Sequence, residues 1–149
     1  MTRNTAREIA AHLAYELSFT DLPLAEFLDQ RLSAENFADL APECGLYEEK
    51  PNAKQEAYIR RLVSGVAEHA AELDGYIEKY AKNWEFSRIS RVAAAILRVA
   101  MYEILYQPDV PYKVAANEAV ELAKTYEGRD IAGFVNGILA AFIESERHE

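Results

Sequence analysis

Apolar residues recur at helical spacing along almost the whole chain. Between residues 4 and 18, Ala6, Ile9, Ala10, Leu13 and Leu17 fall at steps of three and four, and so share one helical face. Asp21 and Pro23 mark a break, since aspartate caps a helix start and proline is tolerated in its first turn. A second amphipathic stretch, residues 22–38, presents Leu24, Phe27, Leu28 and Leu32. Residues 41–53 hold two prolines, a glycine, Cys44 and the acidic pair Glu48 and Glu49, and read as a loop. A third helix is expected over 54–70, with the stripe Tyr58, Ile59, Leu62, Val63 and Val66, and a shorter fourth near 71–83, bearing Leu73, Ile77 and Tyr80.

Ser87 is placed to cap a fifth helix over 88–106. Between Val92 and Tyr106 only Arg98 and Glu103 are charged, so this helix is apolar nearly all round and belongs at the centre of the fold. Pro108, Asp109 and Pro111 stop it and start a sixth, 112–126, with Ala115, Ala119, Leu122, Ala123 and Tyr126 along one face. Gly128 ends that helix, as a residue that takes the left-handed conformation without strain. Asp130 then caps a seventh, in which Phe134, Val135, Ile138, Leu139, Phe142 and Ile143 repeat. No segment has the strict alternation of a strand. The pattern predicts an all-α bundle of about seven helices, with no internal repeat.

Composition bounds what such a bundle can do. With 149 residues, half of them hydrophobic, the chain fits one domain with a real core. Its net charge is −9, and residues 1–50 hold four basic residues (Arg3, Arg7, Arg31, Lys50) against ten acidic ones. A nucleic-acid binder acting alone normally carries a basic face. Any RNA binding here must be local, or must depend on a partner that supplies positive charge. A single cysteine, Cys44, forms no internal disulfide, and no signal-peptide block follows the N-terminal basic residues, so a cytoplasmic location and no membrane association are expected.

Chemistry-bearing patterns are sparse. Glu8, His12 and Glu16 share a helical face at four-residue spacing, but a di-iron bundle needs paired Glu-x-x-His motifs, which do not occur. The trio reads as a solvated, mildly ion-paired face. There is no phosphate-cradling glycine loop and no nucleophile signature. The sequence therefore points to a binding protein rather than an enzyme, with no cofactor and no metal.

Two places suit RNA. Arg3 and Arg7, four apart on the first helix, carry guanidinium groups that bind phosphate bidentately or stack on bases. The plain alternative is a frayed, solvated terminus, although basic residues at a helix N-terminus oppose its dipole and are not explained by helix stability. Tyr112 and Lys113 open the sixth helix and Asn117 lies one turn on, where free backbone N–H groups suit phosphate. The alternative there is that Tyr112 packs and Lys113 points to water.

Four blocks of the C-terminal half resemble a known family. They are Ala95-Ile96-Leu97-Arg98-Val99-Ala100-Met101-Tyr102-Glu103, then Asp109-Val110-Pro111-Tyr112-Lys113-Val114-Ala115, then Asn117-Glu118-Ala119-Val120-Glu121-Leu122-Ala123-Lys124, then Phe134-Val135-Asn136-Gly137-Ile138-Leu139. In this order and spacing, with Ala6-Arg7-Glu8, Leu62-Val63-Ser64-Gly65-Val66 and Leu73-Asp74 upstream, the chain resembles the NusB family of transcription antitermination factors.

The resemblance implies two small helical subdomains sharing the long central helix. In these terms residues 1–149 are a single NusB-like RNA-binding domain, with residues 1–83 as its N-terminal helical region and residues 84–149 as its C-terminal one. It further implies binding to the boxA element of ribosomal RNA transcripts together with NusE, a small-subunit ribosomal protein, in a complex on RNA polymerase that suppresses termination. Under it, Arg3 and Arg7 fall in the family's arginine-rich segment and anchor phosphates, Lys113 and Asn117 extend the track, and Tyr15 falls on the partner-contact position. Ala93 and Ala94 stand where many relatives carry an acidic and then a basic residue. The alternative reading is a protein-interaction module or homodimer of the same fold that does not bind RNA.

Overall fold

The computed structural model describes residues 1–81 and 89–146. Among them are eight α-helices and no strand: α1 (Arg3–Leu17), α2 (Leu24–Arg31), α3 (Ala34–Leu40), α4 (Ala53–Glu68), α5 (Ala70–Tyr80), α6 (Arg91–Tyr106), α7 (Tyr112–Glu127) and α8 (Arg129–Glu146). The fold is all-α, as the periodicity predicts. The chain forms two compact units, Met1–Ser64 and Gly65–Glu149. They divide within α4, whereas the boundary implied by the resemblance, between residues 83 and 84, lies outside the described residues.

In the first unit, α1 packs on α2 and α2 on α3. Ile9, Leu13, Phe27, Ile59 and Leu62 are fully buried. The stretch expected as one helix over 22–38 is two. Ser33 interrupts it, its hydroxyl accepting from the Asn36 N–H at 3.1 Å, a cap that competes with helix continuation. The 41–53 loop holds a 3-10 turn at Gly45–Tyr47. Tyr47 anchors that loop, buried edge-on against Phe37 at 5.0 Å between ring centroids.

In the second unit α6 packs against α5, α7 and α8. Every residue from Ala93 to Ile104 except Arg98 is buried, as expected for a helix apolar on all sides. Arg98 donates to Asp74 at 2.6 Å, so its charge leaves the core through an ion pair with α5. Glu103, by contrast, is 0% exposed. The helix begins at Arg91, with the Ser90 hydroxyl accepting from the Ala93 N–H at 3.0 Å; the expected cap, Ser87, lies outside the described residues. Gly128 ends α7 at φ 97°, a conformation that favours glycine. Asp130 sits inside the first turn of α8 rather than ahead of it.

The junction of α4 and α5 falls at His69, whose ring stacks on Tyr106 of α6 at 4.4 Å. Tyr106 in turn donates to Glu72 at 2.6 Å. Beside this ladder Tyr102 lies against Gly65, where an added Cβ would meet its ring at 2.1 Å. The bare glycine is what lets α6 approach the last turn of α4 so closely.

Candidate nucleic-acid interface

The N-terminus of α1 is built, not frayed. Thr2 caps it, its hydroxyl accepting from the Thr5 N–H at 3.1 Å. The Met1 amine pairs with Glu49 at 2.7 Å, and the Met1 carbonyl accepts from the Gln55 side-chain amide at 2.6 Å. The start of α1 is thereby tied to α4 and to the loop that precedes it.

Arg3 and Arg7 diverge in environment. Arg3 is exposed, and its guanidinium lies over the Tyr58 ring, 4.7 Å from the centroid. Arg7 is only 2% exposed. It donates through Nη1 to Asn4 Oδ1 at 2.7 Å and through Nη2 to the Tyr58 hydroxyl at 3.2 Å. The two arginines thus meet on one tyrosine of α4, one on its ring and one on its hydroxyl. The sequence pattern marks Tyr58 only as a core position. Its distance of 51 residues from Arg7 along the chain hides the contact from any local pattern.

Lys113 and Asn117 belong to the second unit and are both exposed, one turn apart on α7. The opposite face of that helix buries Ala115, Ala119 and Ala123, which fixes the direction the two polar side chains take. Tyr112 is half-buried. No side chain caps the α7 N-terminus at Pro111.

Tyr15 is half-buried near the end of α1, with Phe19 edge-on to it at 5.0 Å. Phe19 is 58% exposed and Leu22 41%, so apolar surface faces water just past the helix. Both escape sequence reasoning because they lie at the break marked by Asp21 and Pro23 and belong to neither periodic stripe. Ala93 and Ala94 are buried and serve packing.

The Glu8–His12–Glu16 face is not simply solvated. Burial holds the His12 pKa below its usual value of 6.5, against the raising influence of Glu8 and Glu16. The ring sits 6.0 Å from that of Tyr47. Glu16 accepts from Arg31 at 2.7 Å. Among the described residues no group of three or more histidine, cysteine, aspartate or glutamate side chains is placed to hold a metal ion, and no helix is long and apolar enough to cross a membrane.

The profile of the NusB family matches residues 4–144. The transcription antitermination protein NusB of Acetivibrio thermocellus is 39% identical over 144 residues, covering 97% of this chain and 90% of that protein. Its counterpart from Symbiobacterium thermophilum is 41% identical over 143 residues, covering 96% and 90%. Among solved structures, T. maritima NusB superposes with a TM-score of 0.79 at 27% identity, covering 97% of this chain and 92% of that one. A chain in the crystal structure of a plectonemic RNA supercoil shares the fold, with a TM-score of 0.75 at 24% identity over 96% of this chain and 94% of that one.

Proposed function

Since this chain belongs to the NusB family of transcription antitermination proteins, we propose that it acts without catalysis, binding boxA-type RNA of ribosomal RNA transcripts jointly with NusE and entering an antitermination complex on RNA polymerase. The observation that carries this reading is the family match over residues 4–144. Arg3, exposed on a capped and tethered helix start, supports it, as does the exposed pair Lys113 and Asn117. In this reading Arg3 and Lys113 meet phosphates, Asn117 adds a polar contact, and Arg7 supports Arg3 from behind. Tyr15, with the neighbouring Phe19, belongs to the protein contact.

Electrostatics make the partner necessary. For single-stranded RNA the log–log salt slope is about 0.7 per phosphate neutralised, so two to four contacts give about 1.5 to 3. Against a net charge of −9 that is modest affinity. NusE is expected to bring the remaining positive surface, so that the two proteins clamp one RNA strand.

Fluorescence anisotropy of a labelled boxA-type RNA, titrated with this protein with and without NusE, tests the reading. Binding that tightens tenfold or more with NusE, about 1.4 kcal/mol of coupling, is the expected result. No binding under either condition overturns it in favour of a protein-interaction module of the same fold. The buried alanines at 93 and 94, at the places where the resemblance implies an acidic and then a basic residue, favour that second reading.

A further inference from the structure

We infer that Tyr58 is a positioning residue for RNA binding, holding the Arg3 guanidinium in the orientation that takes a phosphate; this rests on the RNA-binding reading above. Tyr58 is on α4 and only 6% exposed, so it presents nothing to RNA itself. Its ring carries the Arg3 guanidinium at 4.7 Å, and its hydroxyl accepts from Arg7 at 3.2 Å. Arg7 is locked in turn by Asn4 at 2.7 Å. The tyrosine is therefore fixed by a buried hydrogen bond on one side and offers its ring to an exposed cation on the other.

A guanidinium over a ring is held by attraction of its charge to the π face, whereas phosphate engages N–H donors, so the one contact does not exclude the other. An arginine on an open helix end loses most of its rotamer freedom when it binds. One already held on a ring has surrendered part of that freedom beforehand, and its affinity rises accordingly. The Met1 contacts to Glu49 and Gln55 fix the backbone from which Arg3 projects, so both ends of the side chain are restrained.

The test uses the full chain, labelled boxA-type RNA and NusE over a salt series, with nitrogen-15 NMR of the arginine side chains. In the wild-type protein the Arg3 Nε–H proton should be shifted upfield by the tyrosine ring current, and Tyr58→Leu should abolish that shift. The same substitution should weaken RNA binding about two- to fivefold, the worth of an exposed cation–π contact, and lower the salt slope by up to about 0.7. Tyr58→Phe, which keeps the ring but loses the hydrogen bond from Arg7, should recover the larger part of both. On an Arg3→Ala background Tyr58→Leu should add nothing, because the tyrosine acts through the arginine. Multiplicative losses in that double variant overturn the inference, as does an unshifted Arg3 proton in the wild type. If Arg3 is ring-shifted but the wild type binds no RNA, the RNA-binding reading falls and takes the role of Tyr58 with it, while the stacking stands. Should Tyr58→Leu fail to fold, Arg3→Lys at its exposed position decides. It keeps the charge and loses the guanidinium over the ring, and binding equal to wild type overturns the inference.

Discussion

His12 shows how far a single side chain departs from its sequence context. Its neighbours on α1 at four-residue spacing are both glutamates, which favour the charged imidazolium. Burial opposes them and prevails, lowering the pKa from 6.5. The unfolded chain therefore binds a proton at a higher pH than the folded one, and folding stability rises with pH across that interval. The histidine's contribution is complete above about pH 6.5 and is lost as pH falls through the lowered folded value. Thermal melts should show wild-type Tm declining between about pH 7 and pH 5 more steeply than that of His12→Gln. Parallel profiles for the two proteins would remove His12 as the cause.

At the scale of elements, glycines with the same sequence appearance do different work. Gly65 and Gly75 both lie inside helices. A Cβ at Gly65 would meet the Tyr102 ring at 2.1 to 2.6 Å, and that ring is itself wedged beside His69 and Tyr106. At Gly75 nothing lies within 4 Å. Gly65→Ala should lower stability by about 1 to 3 kcal/mol through overpacking. Gly75→Ala should raise it by about 0.5 to 1 kcal/mol through helix propensity alone. Urea denaturation of the two variants measures both, and a stabilising Gly65→Ala would show that the close approach of α6 to the end of α4 gives way easily.

For the molecule as a whole, charge is the property that shapes binding. A protein of net charge −9 draws a basic partner through a long-range field, which accelerates encounter and is screened by salt. Stopped-flow association with NusE, the partner proposed above, should therefore slow about tenfold or more on going from low to high ionic strength, with the dissociation rate changing far less. A salt-independent association rate would mean that apolar contact, of the kind Phe19 and Leu22 expose, governs encounter instead.

The all-helical class, the central helix and most helix ends were legible in the sequence, because periodic burial is a local property written within a few residues. The caps were less so, with Gly128 closing α7 as read but Asp130 lying inside α8. Family membership was legible for a related reason: blocks such as Ala95–Glu103 and Phe134–Leu139 keep their order and spacing. The split of residues 22–38 at Ser33 was less so, since a serine there satisfies a helix interior and a cap equally well until its hydroxyl is seen to accept from Asn36. The arrangement around Arg3 and Arg7 was not legible at all. Two arginines four apart look equivalent on a helical wheel, yet one lies over a ring at the surface and the other is buried. Both meet Tyr58, one on its ring and one on its hydroxyl, and that tyrosine approaches from a helix some fifty residues away. Sequence alone determined which segments are helices and which faces they bury. Tertiary structure decided which charges stay at the surface, because that depends on what distant segments bring against them.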